Sequence, residues 1–377
     1  MARYTWETKS LMASLKSVEK LIERETDEIE LAKLYRYYDA INSTIFDTFI
    51  YPNVSIPLSK RMPEMFSSFL ATQRYYNLYF PLEDAIVNNQ ALLCETEYRK
   101  NVVSDQIEKA CGVHVTKTQA ISICYDFYKD LDEELFEHFK KFYDMRFNHL
   151  KFINSKGLDI DFLGRQHFLF GINESYIEAV GTNNPEMSTI LIHETAHAID
   201  NSMNPESYFS EDFYYEVLSL FTELVSFYKK AGNFDELFYY NSIFDSLDTQ
   251  FSFIDDANRF SNLMIEYRNN HYRISPEFYE SIREKYNLPK KVVNNFLNEH
   301  RQNDMCYPIS LSLALAFFNI YKQDEKKGME NIKRFIRTTD RDSYIPLVLS
   351  NEFSEIVDSE VRSLLTESNE CFKRHAK

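Results

Sequence analysis

Residues 193–197 read His-Glu-Thr-Ala-His. On a helix, residues four apart stand one turn apart on one face. Both imidazoles can then reach a single Zn²⁺, while Glu194, about 100° around, addresses a water beside it. With 9 His and 35 Glu in 377 residues, chance placement gives this pentapeptide roughly 0.02 times. The alternative is a pair of core histidines astride a glutamate. The flanks Ile190, Leu191, Ile192, Ala196, Ala198 and Ile199 make the segment apolar nearly all round. His193, Glu194 and His197 would therefore be buried polar groups, which are costly without partners. A metal supplies those partners.

A catalytic zinc keeps three protein ligands and one open position. No H-x-x-G-x-x-H continuation follows His197, so the third ligand has to come from elsewhere. The segment Ser210–Gly232 reads as the next helix, with Ser210 as cap, and its interior is apolar except for Glu216 and Glu223. These two are seven apart and share a face. Glu216 is the expected third ligand; Glu223 is its competitor, or otherwise an acceptor for a ligand's far nitrogen. Asp200 lies seven after His193 and three after His197. It is a candidate to hold the far nitrogen of a zinc-bound imidazole, a common supporting device, or else it ends the helix together with Asn201.

The elements that position these residues follow from composition and periodicity. Only 7 glycines occur, against roughly 26 at the usual share of about 7%. That argues against sandwiches, barrels and glycine-rich phosphate loops, and for a mainly α chain. From about residue 7 to 148 the apolar spacing is helical, as in Leu11, Leu15, Val18, Leu21 and Ile22, and a charge-rich helix is expected over about 118–151. Four glycines, Gly157, Gly164, Gly171 and Gly181, gather just before the His-Glu helix. There Gln166–Asn173 and Ser175–Gly181 read as two short strands around a turn. Helices are expected to resume over about 184–201, 210–231, 234–249, 254–270, 276–286, 290–301, 308–323, 326–337 and 351–367.

Net charge is −16, from 42 basic and 58 acidic side chains. Such a surface repels nucleic acid and anionic membranes, so neither is an expected partner. Five scattered cysteines with no C-x-x-C pair read as reduced thiols. The first residues lack the apolar core of an export signal, and Ile309–Tyr321, the longest apolar stretch, is too short to span a bilayer. A cytoplasmic location is the expectation.

The segments Ser188–Ile199 (Ser-Thr-Ile-Leu-Ile-His-Glu-Thr-Ala-His-Ala-Ile), Phe213–Glu223 (Phe-Tyr-Tyr-Glu-Val-Leu-Ser-Leu-Phe-Thr-Glu) and Tyr307–Ala316 (Tyr-Pro-Ile-Ser-Leu-Ser-Leu-Ala-Leu-Ala) resemble the thimet oligopeptidase and oligoendopeptidase F family of zinc metallopeptidases. The resemblance covers about residues 165–350. The chain has Ala196 where the family has Gly and Asp200 where it has a further His, and it is shorter than full-length members. The resemblance implies a helical two-lobed fold, with a helical lobe over 1–155, a catalytic lobe over 156–377, and a small antiparallel β element before the zinc helix. It implies one Zn²⁺ on His193, His197 and Glu216, with Glu194 as general base. It also implies Tyr307 as donor to the tetrahedral intermediate, with His300 as the family's accompanying histidine. An edge strand formed by Tyr176, Ile177, Glu178, Ala179, Val180 and Gly181 would hold a peptide substrate. The expected activity is hydrolysis of peptides or unstructured segments. The rivals are a dedicated protease for one protein and a non-catalytic helical binding protein with a structural or vestigial metal site.

Overall fold

The computed structural model describes residues 16–18, 20–21, 24, 78, 80–143, 149–153, 163–169, 174–204, 214–269, 276–286 and 302–376. Five helices come first: α1 (Phe80–Asn88), α2 (Gln90–Val102), α3 (Ser104–Cys111), α4 (Lys117–Leu131) and α5 (Glu133–Phe142). Three strands follow, β1 (Leu150–Ile153), β2 (Gly164–Leu169) and β3 (Glu174–Val180), and then α6 (Glu186–Met203) and α7 (Val217–Tyr228). The remaining long helices are α8 (Glu236–Asn269), α9 (Pro276–Tyr286), α10 (Gln302–Gln323), α11 (Glu325–Arg337) and, after a short helical turn, α12 (Asn351–His375). The mainly α reading is borne out. No helix among the described residues is long and apolar enough to cross a membrane.

Local chemistry accounts for several boundaries. Thr116 and Gln119 form a capping box at the start of α4. Asp132, in extended backbone, accepts from the Glu134 and Leu135 amides and starts a new helix. The single helix expected over 118–151 is therefore two, because a cap whose carboxylate satisfies the orphan donors favours a break over continuation. The next element is β1, which helical spacing gave no reason to expect. Further on, the helices expected at 234–249 and 254–270 are one, α8, since no Gly or Pro interrupts the interval. Helix α10 begins at Gln302, not 308, and carries Pro308 in its interior. Helix α7 begins at Val217, so Glu216 occupies its N-cap position. The expected helix over 290–301 lies outside the described residues.

The sheet order is β1-β3-β2. β2 and β3 are antiparallel, with Gln166 opposite Ile177, as two strands around a turn require. β1 adds to the far side of β3 in parallel, Leu150 opposite Ile177. This overturns the expected edge position of Tyr176–Gly181. β3 is the central strand, its two edges already paired and Ile177, Ala179 and Val180 buried. Of the two edge strands, β2 is the one that packs on α6.

One hydrophobic core runs from Leu78 to Phe372 and takes side chains from nearly every element. The stripe Phe353, Val357, Val361, Leu364 and Leu365 of α12 packs on α1 and α2, so the end of the chain closes over its first described helices. Helix α6 lies inside this arrangement, against α7, β2, β3, α4 and α5. Its burial on nearly all sides explains why it is apolar all round.

Candidate metal centre

His193 and His197 project from one face of α6, their Nε2 atoms 3.1 Å apart. Glu216, delivered by the turn before α7, places Oε2 3.2 Å from each of those nitrogens. The three donor atoms thus form a nearly equilateral triangle. A tetrahedral ion bound at about 2.0–2.1 Å sets its N and O ligands about 3.3–3.4 Å apart, so the donor set fits one zinc ion. Ser219 donates to the same Glu216 oxygen at 2.8 Å and steadies the carboxylate. Glu223, one face-repeat along α7, meets the other side of the His193 ring, Nδ1 to Oε1 at 2.8 Å. His193 is therefore held between two carboxylates, one at each nitrogen. Burial works against its charged form, but Glu223 and Glu216 outweigh that and hold its pKa well above the ordinary value. Burial likewise opposes the charged form of Glu216, yet His197 and His193 pull its carboxyl well below the usual range.

Glu194 is buried beside this triangle, 8% exposed. Burial raises its pKa, and the neighbouring imidazoles only partly offset the effect. What allows a strand to lie against it is Gly164 of β2. A Cβ there would stand 2.6 Å from Glu194 Oε1 and 2.8 Å from Ile190 Cγ2. Tyr307, on α10, reaches the same place from the opposite side. It stacks on Phe253 of α8 with centroids 5.1 Å apart. Burial first, then its charge contact and hydrogen bond with Glu216, push its hydroxyl pKa up, so it stays a donor.

The structure thus gathers His193, Glu194, His197, Glu216, Glu223 and Tyr307 in one pocket. Asp200 is elsewhere engaged: Arg341 Nη2 donates to its Oδ1 at 2.6 Å in a pair almost wholly buried. It touches neither imidazole, and the carboxylate at a ligand's far nitrogen is Glu223. Burial raises the pKa of Asp200 and Arg341 counters it. Within β3 the Tyr176 hydroxyl donates to Glu178, which also meets Lys151, each at 3.3 Å. His300 lies outside the described residues.

Three residues belong to the site that spacing did not single out: Gly164, Gln166 and Tyr215. Only Gly164 carried a signal, since a glycine within a strand often marks a close approach of another chain segment. A second group of potential metal ligands, Glu236, Cys371 and His375, occurs among the described residues. Two of its side chains already have other partners. Arg374 donates to Glu236 at 2.9 Å, and His375 Nδ1 lies 3.0 Å from the Cys371 carbonyl.

A helical shell around a small sheet is a fold this chain shares with solved structures of oligoendopeptidase F and other peptidases. A Bacillus anthracis str. Ames protein assigned as an oligoendopeptidase F superposes with a TM-score of 0.50 at 15% identity, over 92% of this chain and 63% of its own. A protein from Chlamydophila abortus assigned as a peptidase gives 0.53 at 11% identity, over 98% and 75%. PZ peptidase A with an inhibitor gives 0.52 at 12%, over 94% and 71%. The chain therefore spans less than two thirds of the Bacillus anthracis protein. No family model matches the sequence, and no curated protein matches it either.

Proposed function

We propose that this chain is a zinc-dependent peptidase that hydrolyses peptides or unstructured segments. The observation that carries the reading is the donor triangle of His193, His197 and Glu216, 3.1–3.2 Å on each side, with a buried glutamate beside it. Zn²⁺ bound there supplies a Lewis acid for the scissile carbonyl and lowers the pKa of a water. Glu194 takes the proton of the attacking water and returns it to the leaving amine, a role served by its raised pKa. The Tyr307 hydroxyl donates to the developing oxyanion. Glu223 holds His193 in the tautomer that presents Nε2 to the ion. The edge of β2 that no other described strand pairs with passes Glu194 at Gly164, so an extended peptide paired with it would lie along the site and gain backbone hydrogen bonds without a sequence requirement.

The test is Glu194→Gln, assayed on a mixed short-peptide library with zinc measured in the same preparation. The variant keeps its zinc and loses roughly 10²–10⁴-fold in kcat/KM. Full turnover by the variant, or wild-type protein purified without chelators and free of zinc, would overturn the proposal.

A further inference from the structure

An imidazole that ligates a metal needs its plane fixed as well as its position, because the donor lone pair lies in the ring plane. His193 obtains this from Glu223 at Nδ1. His197 does not: among the described residues its buried Nδ1 has no hydrogen-bond partner. Its ring lies instead flat against Tyr215, centroids 4.2 Å apart and planes 8° from parallel. Tyr215 immediately precedes the ligand Glu216, so one short segment supplies both the third donor and the plate behind the second.

The tyrosine is itself anchored. Its hydroxyl donates to Gln166 Oε1 at 2.7 Å, and Asn201, one turn beyond His197 on α6, donates to the same oxygen at 3.1 Å. The other end of that amide, Nε2, donates to Ser175 of β3 at 2.8 Å. Gln166 is thus held at both ends of its amide, by Tyr215 and Asn201 on one side and Ser175 on the other. Gln166 sits two residues after Gly164 on the same face of β2.

We propose that Tyr215 is a positioning residue that fixes the plane of His197 by stacking and ties it, through Gln166, to the strand bordering the cleft. Metal occupancy and the seating of β2 are thereby coupled. The proposal rests on the metal reading given above, and two measurements separate them. Zinc affinity, by competition with a chromophoric chelator, reads the stacking. Hydrogen exchange of the β2 amides, with and without zinc, reads the tie.

Tyr215→Met removes the plate and weakens zinc about 10–100-fold, the usual effect of losing a ligand's support. Tyr215→Phe keeps the plate, so zinc affinity stays within about threefold, yet the β2 amides exchange roughly fivefold to tenfold faster, as the loss of one hydrogen bond implies. Gln166→Leu, which also removes the Asn201 and Ser175 bonds, gives at least that exchange change, and adding Tyr215→Phe to it changes nothing further. Zinc also slows β2 exchange more in wild type than in Tyr215→Phe. A folded Tyr215→Met protein with wild-type zinc affinity overturns the stacking role. Unchanged β2 exchange in Tyr215→Phe overturns the tie. Wild-type protein that takes no zinc overturns the metal reading and the stacking role with it, while exchange in the metal-free variants still decides the tie.

Discussion

Replacing Gly164 with alanine puts a methyl group where the structure has no room for one. The added carbon would lie 2.6 Å from Glu194 Oε1, 2.7 Å from Glu194 Cγ and 2.8 Å from Ile190 Cγ2. Carbon contacts settle at about 3.5–4.0 Å, so the conflict needs relief of roughly 0.7–1 Å. Ile190 is β-branched, sits in a helix and is 8% exposed, so its methyl has essentially one rotamer and nowhere to swing. Either β2 withdraws from α6 or Glu194 turns out of line. Overpacking of this kind costs about 1–3 kcal/mol in stability, and a shift near 1 Å at a reacting group costs about 10²-fold in rate. Because Gly164 touches neither imidazole, zinc content stays at the wild-type level. The assay is kcat/KM on a quenched fluorescent peptide alongside metal analysis and thermal unfolding. Gly181→Ala is the control: its Cβ would meet the flexible end of Lys117 at 3.3 Å and the Ile153 carbonyl oxygen at an ordinary 3.5 Å, so activity stays near wild type. A Gly164→Ala protein with kcat/KM within threefold of wild type would refute the close approach of β2 to Glu194.

Two other predictions concern groups outside the pocket. Arg341→Met leaves the Asp200 carboxylate buried without its partner and destabilises the protein by about 3–5 kcal/mol in denaturant unfolding. Adding Asp200→Asn recovers part of that loss, and strictly additive effects would show the pair to be uncoupled. Among the thiols, burial pushes Cys124 and Cys371 up to about 12. At pH 8 only about 10⁻⁴ of each is thiolate, and that fraction rises tenfold per pH unit until pH approaches the pKa. Exposed Cys94 is therefore alkylated first, and label on Cys124 or Cys371 appears only at high pH or on unfolding. Mass spectrometry of the labelled peptides checks the order, and early label on either buried thiol at pH 8 refutes it.

The parts legible in the sequence are those governed by local periodicity. The histidine pair needs only 3.6 residues per turn to share a face, and Glu216 and Glu223 stand out because they are charged within an otherwise apolar helix. Spacing favours Glu216 over Glu223 as the third ligand, but the contacts that separate the two depend on how α7 crosses α6. The crossing places Glu216 at both Nε2 atoms and Glu223 at Nδ1. β1 escaped notice for a similar reason. A four-residue strand paired in parallel with β3 has no turn signal and too few residues for alternation to register. Asp200 misled because helix spacing reports the face, not the reach. Although it lies only three residues after His197, its carboxylate is taken by Arg341, at the start of the short helical turn after α11. Gln166 and Tyr215 are ordinary residues in one dimension, and only the packing of β2 on α6 gives them a role.

Charge separates a metal centre from a cluster of core hydrogen bonds. Glu194, Glu216 and Glu223 surround two imidazoles, and among the described residues the ion pairs of Glu216 and Glu223 run only to His193 and His197. With both histidines neutral the group carries three negative charges in a largely buried space. With both protonated it still carries one, and both Nε2 atoms would then be donors 3.1 Å apart, competing for the single oxygen of Glu216. With His193 alone protonated it carries two, and none of the three arrangements satisfies every group; buried charge that is left unmatched costs several kcal/mol. A divalent cation at the triangle resolves both problems together. It matches the charge of two carboxylates and turns the facing nitrogens from rivals for a proton into ligands of one ion. The third carboxylate, Glu194, remains outside the ligand set, next to the strand edge and free to exchange a proton, as the proposed hydrolysis requires.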